Sequence, residues 1–440
     1  MNKIDLTKGN VLKVLTVLSL PIMASSLLQF TYNIIDMLWV GALGSDAVAS
    51  IGSSSFYIGL GYSINSLVVI GTGIKVAHSI GSKDDKLVHE YINAGLFINL
   101  LLGLMYGIIL IAFGKRFIAF LNLNNNVVER DSYLYLIINV PILFFTFFNL
   151  LYARILGSFG DNKTPLKIST IGIIINIILD PVFIYVLDFR VLGAAVATLL
   201  ANITMFILYK IRTKGMLNYS FSLGVHKDKI KNIFKLGLPM SFQRVLFTLI
   251  NILLARIVGN FGSDAIAAQK IGLQIESITY MVIGGLHGSI SSFTGQNYGA
   301  KDIKRISEGY KKALIIGIGY SLFMSLVFLF FNEPLIKLFI RDYNTIKIAK
   351  LYLPIIAFSQ IFSTMETMSN GVFTGLGMSK IPAIISIIFT VLRIPMAIVF
   401  SYYFSLNGVW ISIALSSTLK GIVAFIICSN KVRKEKLYVK

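Results

Sequence analysis

The chain has 440 residues, of which 55% are hydrophobic and only 14% are charged. Soluble domains carry about 25% charged residues, so this composition excludes an ordinary soluble protein. The net charge of +20 does not indicate a nucleic-acid-binding domain, because the basic residues lie in short segments between apolar runs, as in membrane proteins.

Twelve apolar segments are long enough to cross a bilayer, which takes about 20 helical residues. They are 14–40, 51–77, 91–113, 133–156, 165–187 and 191–210 in the first half, and 235–259, 267–294, 312–331, 351–373, 382–405 and 408–428 in the second. All are predicted to be helices, because lipid cannot satisfy open backbone groups. The predicted fold is therefore an all-α polytopic membrane protein with 12 transmembrane helices.

The two halves of the chain are copies of each other. Residues 20–41 and 44–49 align without a gap with residues 238–259 and 262–267, at a constant offset of 218. Because each copy holds an even number of spans, both copies insert with the same orientation. We therefore predict two pseudo-symmetric six-helix lobes, an N-lobe at 1–215 and a C-lobe at 235–440, joined by a cytoplasmic linker at 216–234.

Lysine and arginine are concentrated on one side of the predicted bundle. With the N-terminus inside, most of them lie in the inner segments, above all in the inner loop at 211–234. Cytoplasmic loops of membrane proteins carry this excess of basic residues. The sequence thus predicts a multi-pass protein of the cytoplasmic membrane with both termini in the cytoplasm.

Four acidic residues lie well inside the predicted spans: Asp36, Asp180, Glu276 and Glu366. An ionisable group in the bilayer is costly, so each one is a functional candidate. At about 1.5 Å rise per residue, Asp36 and Asp180 both fall about 8–11 Å below the outer surface. Thr198, which enters the next span from outside, falls at a comparable depth.

The repeat indicates that the fold itself does not require these two aspartates. The offset places Leu254 at the position of Asp36, and alignment of the two proline steps places Ile394 at the position of Asp180. An acid needed only for folding would be expected in both halves. Asn176 precedes Asp180 by one helical turn and shares its helix face, so an amide joins the two carboxylates.

Other polar and aromatic residues of the spans are candidates for contact with a substrate or between the lobes. They are Glu276, Gln274, Tyr32, Met37, Gln29, Glu366 and Arg393. A buried salt bridge is an open alternative for Glu276, and Arg393 could neutralise Glu366 in a structural pair.

Several stretches resemble the multidrug and toxic compound extrusion (MATE) transporters. They are 20–22 with 33–41 in the first span, 160–165 and 176–181 around the fifth, and 295–302 after the eighth. The resemblance implies a cation-coupled antiporter that exports amphipathic, often cationic, compounds.

The resemblance also implies an N-lobe cation site at the matching positions Asp36, Asn176, Asp180 and Thr198. It would take H⁺, or Na⁺ at the two aspartates, with no further cofactor and no structural metal. In some relatives a C-lobe helix carries an acid where this chain has Ser363, which does not support a second site.

Three other classes of membrane protein are alternatives to a cation-coupled antiporter. A lipid-linked oligosaccharide flippase of the same superfamily would share the fold, but it should have more cations in its cavity. A major facilitator would carry an arginine-rich pattern at 81–86, and an intramembrane enzyme would need a catalytic motif; the sequence has neither. We therefore expect a transporter rather than an enzyme, with a drug or toxin as substrate, the bilayer as surroundings, no nucleic-acid partner, and a monomeric state.

Overall fold

The computed structural model describes residues 4–121, 125–213, 215–220 and 223–438. This part of the chain is almost entirely helical and contains no strand. The helices are α1 (Val11–Gly41), α2 (Ser45–Gly81), α3 (Asp85–Phe120), α4 (Asn126–Ser158), α5 (Lys163–Pro181) followed by a π-helical turn (Val182–Val186), α6 (Arg190–Thr213), α7 (Lys227–Gly259), α8 (Ser263–Gly299), α9 (Ile303–Phe330), the short α10 (Asn332–Lys337), α11 (Tyr343–Gly375) and α12 (Lys380–Tyr438).

The helix α12 contains two helical stretches that meet at a break. Phe404 (φ −122°, ψ 15°) and Ser405 (φ 50°, ψ −140°) leave the helical conformation, where the predicted spans 382–405 and 408–428 adjoin. Among the described residues, ten helices are long and apolar enough to cross a membrane, with α12 counted once. The two stretches of α12 correspond to two predicted spans, and α8, which has 37 residues but is not among the ten, corresponds to one more. The twelve predicted spans are therefore accounted for.

The internal repeat is also visible in the backbone. Gly44 (φ 105°) and Gly262 (φ 102°) precede α2 and α8 in a conformation that glycine adopts at little cost. Asp84 and Asp302 cap α3 and α9, and each carboxylate accepts a bond of 2.9 Å from the backbone N–H three residues later. Both pairs are separated by 218 residues, so the two copies share turn and cap geometry as well as sequence.

The helices pack into two compact units. The first consists of Ala24–Ser241 with the chain end up to Asp5, and the second of Leu6–Met23 with Phe242–Lys440. The division crosses α1 after Met23 and α7 after Ser241, two positions related by the repeat. Each of these helices therefore contributes to both units. The described residues of the segment 216–234 belong to the first unit.

In the first unit, α7 approaches α2 closely and the segment before it is fixed to α3. A Cβ at Gly237 would overlap the backbone carbonyl of Leu67, so only glycine allows this approach. The Asn93 side chain donates to the carbonyls of Ser220 (3.0 Å) and Gly224 (2.6 Å). These contacts hold the segment between α6 and α7 against the helix bundle.

In the second unit, Arg305 at the start of α9 binds the chain that precedes α1. Its guanidinium donates to the carbonyls of Leu6 (3.1 Å), Gly9 (2.8 Å) and Lys8 (2.6 Å). The Gln296 side chain accepts from the N–H of Leu6 at 3.2 Å. The N-terminal segment is thus part of the folded unit.

Candidate functional site

Asp36 and Asp180 come from two helices of the first unit, α1 and α5, and the end of α5 is irregular. Asp180 lies at the end of α5, next to Pro181 and the π-helical turn. Such wide turns often occur at functional sites, and proline frees the carbonyl four residues before it. Asp180 is fully buried and Asp36 is partly buried. The Oδ1 atom of each is buried with no hydrogen-bond partner among the described residues, so two strong acceptors are left unsatisfied.

Asn176 connects Asp180 to two other helices. In the amide orientation that satisfies its neighbours, its nitrogen donates to Asp180 Oδ2 (3.2 Å) and to the Tyr32 hydroxyl (2.7 Å). Its oxygen accepts from the backbone N–H of Thr198 at 2.9 Å. One side chain therefore joins α1, α5 and α6, and it brings together three of the four residues predicted from the sequence.

The two carboxylates lie close enough to interact electrostatically. Tyr32 and Tyr135, the latter from α4, each interact electrostatically with both of them. We call this group the Asp36–Asp180 cluster; it consists of Tyr32, Asp36, Tyr135, Asn176, Asp180 and Thr198. Sequence reasoning missed Tyr135, because a tyrosine in an apolar span carries no signal that separates it from the other 19.

The π-helical turn fixes the end of α1 beside the cluster. The Tyr185 hydroxyl donates to the Trp39 carbonyl at 2.6 Å, and the two rings pack edge to face at 6.1 Å. The carbonyls of the last helical turn have no partner within a helix, so this bond satisfies one of them. It links the segment that carries Asp180 to the segment that carries Asp36.

The repeat-related position in the second unit is apolar. Leu254, at the position of Asp36, is 1% exposed and belongs to a hydrophobic cluster with Val409 and Trp410. Ile394, at the position of Asp180, packs against the same cluster. The second unit therefore has a packed core where the first unit has two carboxylates.

Buried charges of the second unit lie elsewhere and are balanced. We call Glu276, Glu366, Arg393 and Lys420 the Glu366 network; each is at most 8% exposed. Glu366 Oε2 forms an ion pair with Lys420 Nζ at 3.2 Å. Arg393 donates to Ser416 (2.8 Å) and to a second serine, Ser417 (3.3 Å).

This arrangement corrects the pairing suggested by the sequence. The direct partner of Glu366 is Lys420 rather than Arg393, which acts on Glu366 and Glu276 only through the electrostatic field. Glu276 accepts a hydrogen bond from the Tyr352 hydroxyl instead of pairing directly with a cation. Lys420 is visible in the sequence as a lysine inside the predicted span 408–428. Its pairing with Glu366 was not predictable, because the two spans are distant in sequence.

The remaining candidates are not part of either group. Met37 is 63% exposed, and the Gln274 side chain is exposed on α8. Gln29 donates to the Asn33 side chain at 3.2 Å on the exposed face of α1. Among the described residues there is no group of three or more His, Cys, Asp or Glu side chains that could hold a metal ion.

Comparison with known proteins shows which family this arrangement belongs to. The family model described as MatE matches residues 21–182 and 239–399, two blocks whose starts are 218 residues apart. The chain is 28% identical to the probable multidrug resistance protein YpnP of Bacillus subtilis, covering 97% of this chain and 96% of that protein. It is 27% identical to the probable multidrug resistance protein NorM of Thermotoga maritima, covering 93% and 91%.

Solved structures match the fold over nearly the full length. A MOP superfamily transporter from Pyrococcus furiosus has a TM-score of 0.93 at 23% identity, covering 99% of both chains. An outward-facing multidrug resistance MATE family transporter of the same superfamily has a TM-score of 0.91, also at 23% identity and with 99% of both chains covered. These likenesses confirm the predicted twelve-span fold with two six-helix lobes.

Proposed function

This chain belongs to the MatE family of membrane transporters, and from that premise we propose that it is a secondary active antiporter. It would export amphipathic, cationic small molecules in exchange for H⁺ or Na⁺ bound at the Asp36–Asp180 cluster. The curated relatives are named as multidrug resistance proteins, which supports a drug or toxin as cargo. No other cofactor enters the proposal.

The proposed coupling site is supported chiefly by two buried carboxylate oxygens that have no hydrogen-bond donor. They lie in the first repeat, and the second repeat has apolar residues at the matching positions. Two carboxylates close together in a low dielectric repel each other and are poorly solvated. A bound proton or a bare cation removes part of that cost. Na⁺, a hard cation, favours oxygen ligands of the kind found here.

The exchange follows from competition for the same negative charge. A cationic cargo in the transport pathway and a coupling cation at the cluster both compensate the two carboxylates, so binding of one weakens binding of the other. A change in the charge of Asp180 would alter the contacts of Asn176 with α1 and α6, because its amide bonds to residues of α1, α5 and α6. Pro21 lies inside α1 and leaves the carbonyl of residue 17 without its helical bond, so α1 would bend there.

The oligosaccharide flippase is the less favoured alternative. Its lipid pyrophosphate would be repelled by an anionic cluster, and the relatives described above carry multidrug names. We further propose that both termini face the cytoplasm, as the distribution of lysine and arginine predicts.

Transport in proteoliposomes tests this function. A fluorescent organic cation is followed under a pH gradient and, separately, under a Na⁺ gradient. We expect one gradient to drive transport by the wild type. Asp36→Asn should weaken cation binding by about 1.5–3 kcal/mol, the value of a hydrogen bond to a charged group. This corresponds to at least a tenfold loss of affinity for the coupling cation. Asp188→Asn, an exposed aspartate with 85% of its side chain accessible, is the matched control and should transport normally. Transport by the wild type under neither gradient would refute the proposal.

A further inference from the structure

A cavity of about 400 Å³ lies in the first unit, away from the Asp36–Asp180 cluster. Its walls come from α3, α4, α6 and the segment that follows α6, and they are almost entirely apolar. Leu96, Phe148 and Tyr152, which are 4%, 8% and 1% exposed, form the buried part. Small-molecule pockets span about 300–1,000 Å³, so this cavity accommodates part of a long apolar ligand.

The mouth of the cavity continues into a surface that faces lipid. Leu100, at 37% exposure, lies at this mouth. Leu104 and Ile108, one and two helical turns further along α3, are 49% and 64% exposed. Residues four apart share a helix face, so an apolar stripe leads from the hydrocarbon region into the cavity.

A fixed cation, Lys210, lies at the other end of the cavity. Its ammonium donates to the carbonyl of Leu217 (3.0 Å) and to the side chain of Asn218 (3.1 Å). It also lies over the rings of Tyr152 and Phe206, at 5.4 and 5.7 Å from their centroids. A lysine ammonium has three N–H donors, so one donor beyond these two bonds remains for an anion.

We propose that this cavity is a binding site for an anionic phospholipid of the inner leaflet, with an acyl chain among the aromatic side chains and the headgroup at Lys210. With the termini inside, the end of α6 lies at the cytoplasmic headgroup level, where anionic lipids and basic pockets between helices meet. Lys210 repels the cationic cargo proposed for this protein, and a free phosphate would leave the apolar walls unfilled.

The position of the site gives the lipid a structural effect. The same lysine holds the segment that leads from α6 towards α7, through Leu217 and Asn218. Asn93 holds that segment a few residues later, through Ser220 and Gly224. A lipid bound between α3, α6 and this segment stabilises the first unit whether or not cargo is present.

Native mass spectrometry of the full-length protein tests the proposal, with phosphatidylglycerol and phosphatidylcholine of identical acyl chains as probes. We expect the wild type to retain one phosphatidylglycerol about fivefold more strongly than phosphatidylcholine, the effect of about one interfacial basic residue. Lys210→Met should remove this preference and Lys210→Arg should keep it. Arg212→Met, at an exposed position of the same helix end, is the matched control and should also keep it.

Further experiments distinguish binding of the lipid headgroup from binding of its acyl chain. Leu100→Trp narrows the mouth and should reduce retention of both lipids, and glycerol phosphate alone should not displace phosphatidylglycerol. If Lys210→Met does not fold, thermal unfolding of the wild type replaces the first measurement. Phosphatidylglycerol should raise its unfolding temperature more than phosphatidylcholine does, and Leu100→Trp should lose this difference. Equal retention of the two lipids by the wild type, an equal loss in Arg212→Met, or displacement by glycerol phosphate would each overturn the proposal.

Discussion

At the scale of single residues, the Asp36–Asp180 cluster combines predictable and unpredictable parts. Asp36 and Asp180 are visible in the sequence, because an acid inside an apolar span is rare and its repeat partner is apolar. The bond from Asn176 to the Tyr32 hydroxyl depends on how α1 and α5 approach each other. Helix periodicity describes faces within one helix and does not fix that approach, so Tyr32 could be predicted only as a candidate for cargo contact.

Asn176→Ala should strengthen binding of the coupling cation without abolishing folding. The variant removes a donor that stabilises the Asp180 carboxylate, worth about 1.5–3 kcal/mol. A bound cation then compensates a less stable charge, so we expect at least a tenfold lower concentration of coupling ion for half-maximal transport. Thr390 lies at the repeat-related position by the proline alignment and is also buried, at 3% exposure. Thr390→Ala should leave the ion dependence unchanged. The same shift in both variants would contradict a role confined to the first unit.

Lys420→Met should destabilise the second unit, because it leaves the Glu366 carboxylate buried without its partner. Breaking a buried ion pair from one side costs about 3–5 kcal/mol, which thermal unfolding in detergent would detect. The double variant Lys420→Met/Glu366→Gln removes both charges and should recover much of that loss. If the double variant is as unstable as the single one, packing around Lys420 rather than charge compensation is responsible.

At the scale of helices, the irregular end of α5 is the element that positions the site. The sequence predicts a span at 165–187, and the structure has α5 and the π-helical turn over this range. The π-helical turn itself was not predictable, because its wider hydrogen bonding depends on what it packs against. Here that is the end of α1, through Tyr185 and Trp39.

Tyr185→Phe tests whether this turn is fixed to α1. Loss of the bond to the Trp39 carbonyl should cost about 1 kcal/mol and lower the unfolding temperature. Tyr402→Phe removes a hydroxyl from a side chain that is 85% exposed near the corresponding end of the other repeat, and it should have no effect. An unchanged unfolding temperature in Tyr185→Phe would show that ring packing alone holds the turn.

At the scale of the whole molecule, the two repeats share the order of their spans and the turn and cap geometry before α2 and α8 and before α3 and α9. They differ in their polar interior. Span number, span order and the repeat follow from hydropathy and a constant offset, and these predictions are confirmed. The division of the compact units inside α1 and α7 cannot be predicted in this way, because the hydropathy of a helix does not show which helices it packs against. Nor can the pair of Glu366 with Lys420, since spans 10 and 12 are distant in sequence.

The most direct test of a coupling site confined to the first repeat is the number of cations released when cargo binds. A fluorescent organic cation is added to the purified protein, and the release of H⁺ or Na⁺ per protein is measured. We predict release from the wild type and from Thr390→Ala, and none from Asp36→Asn/Asp180→Asn, although that variant should still fold. Undiminished release from the double variant would contradict the account.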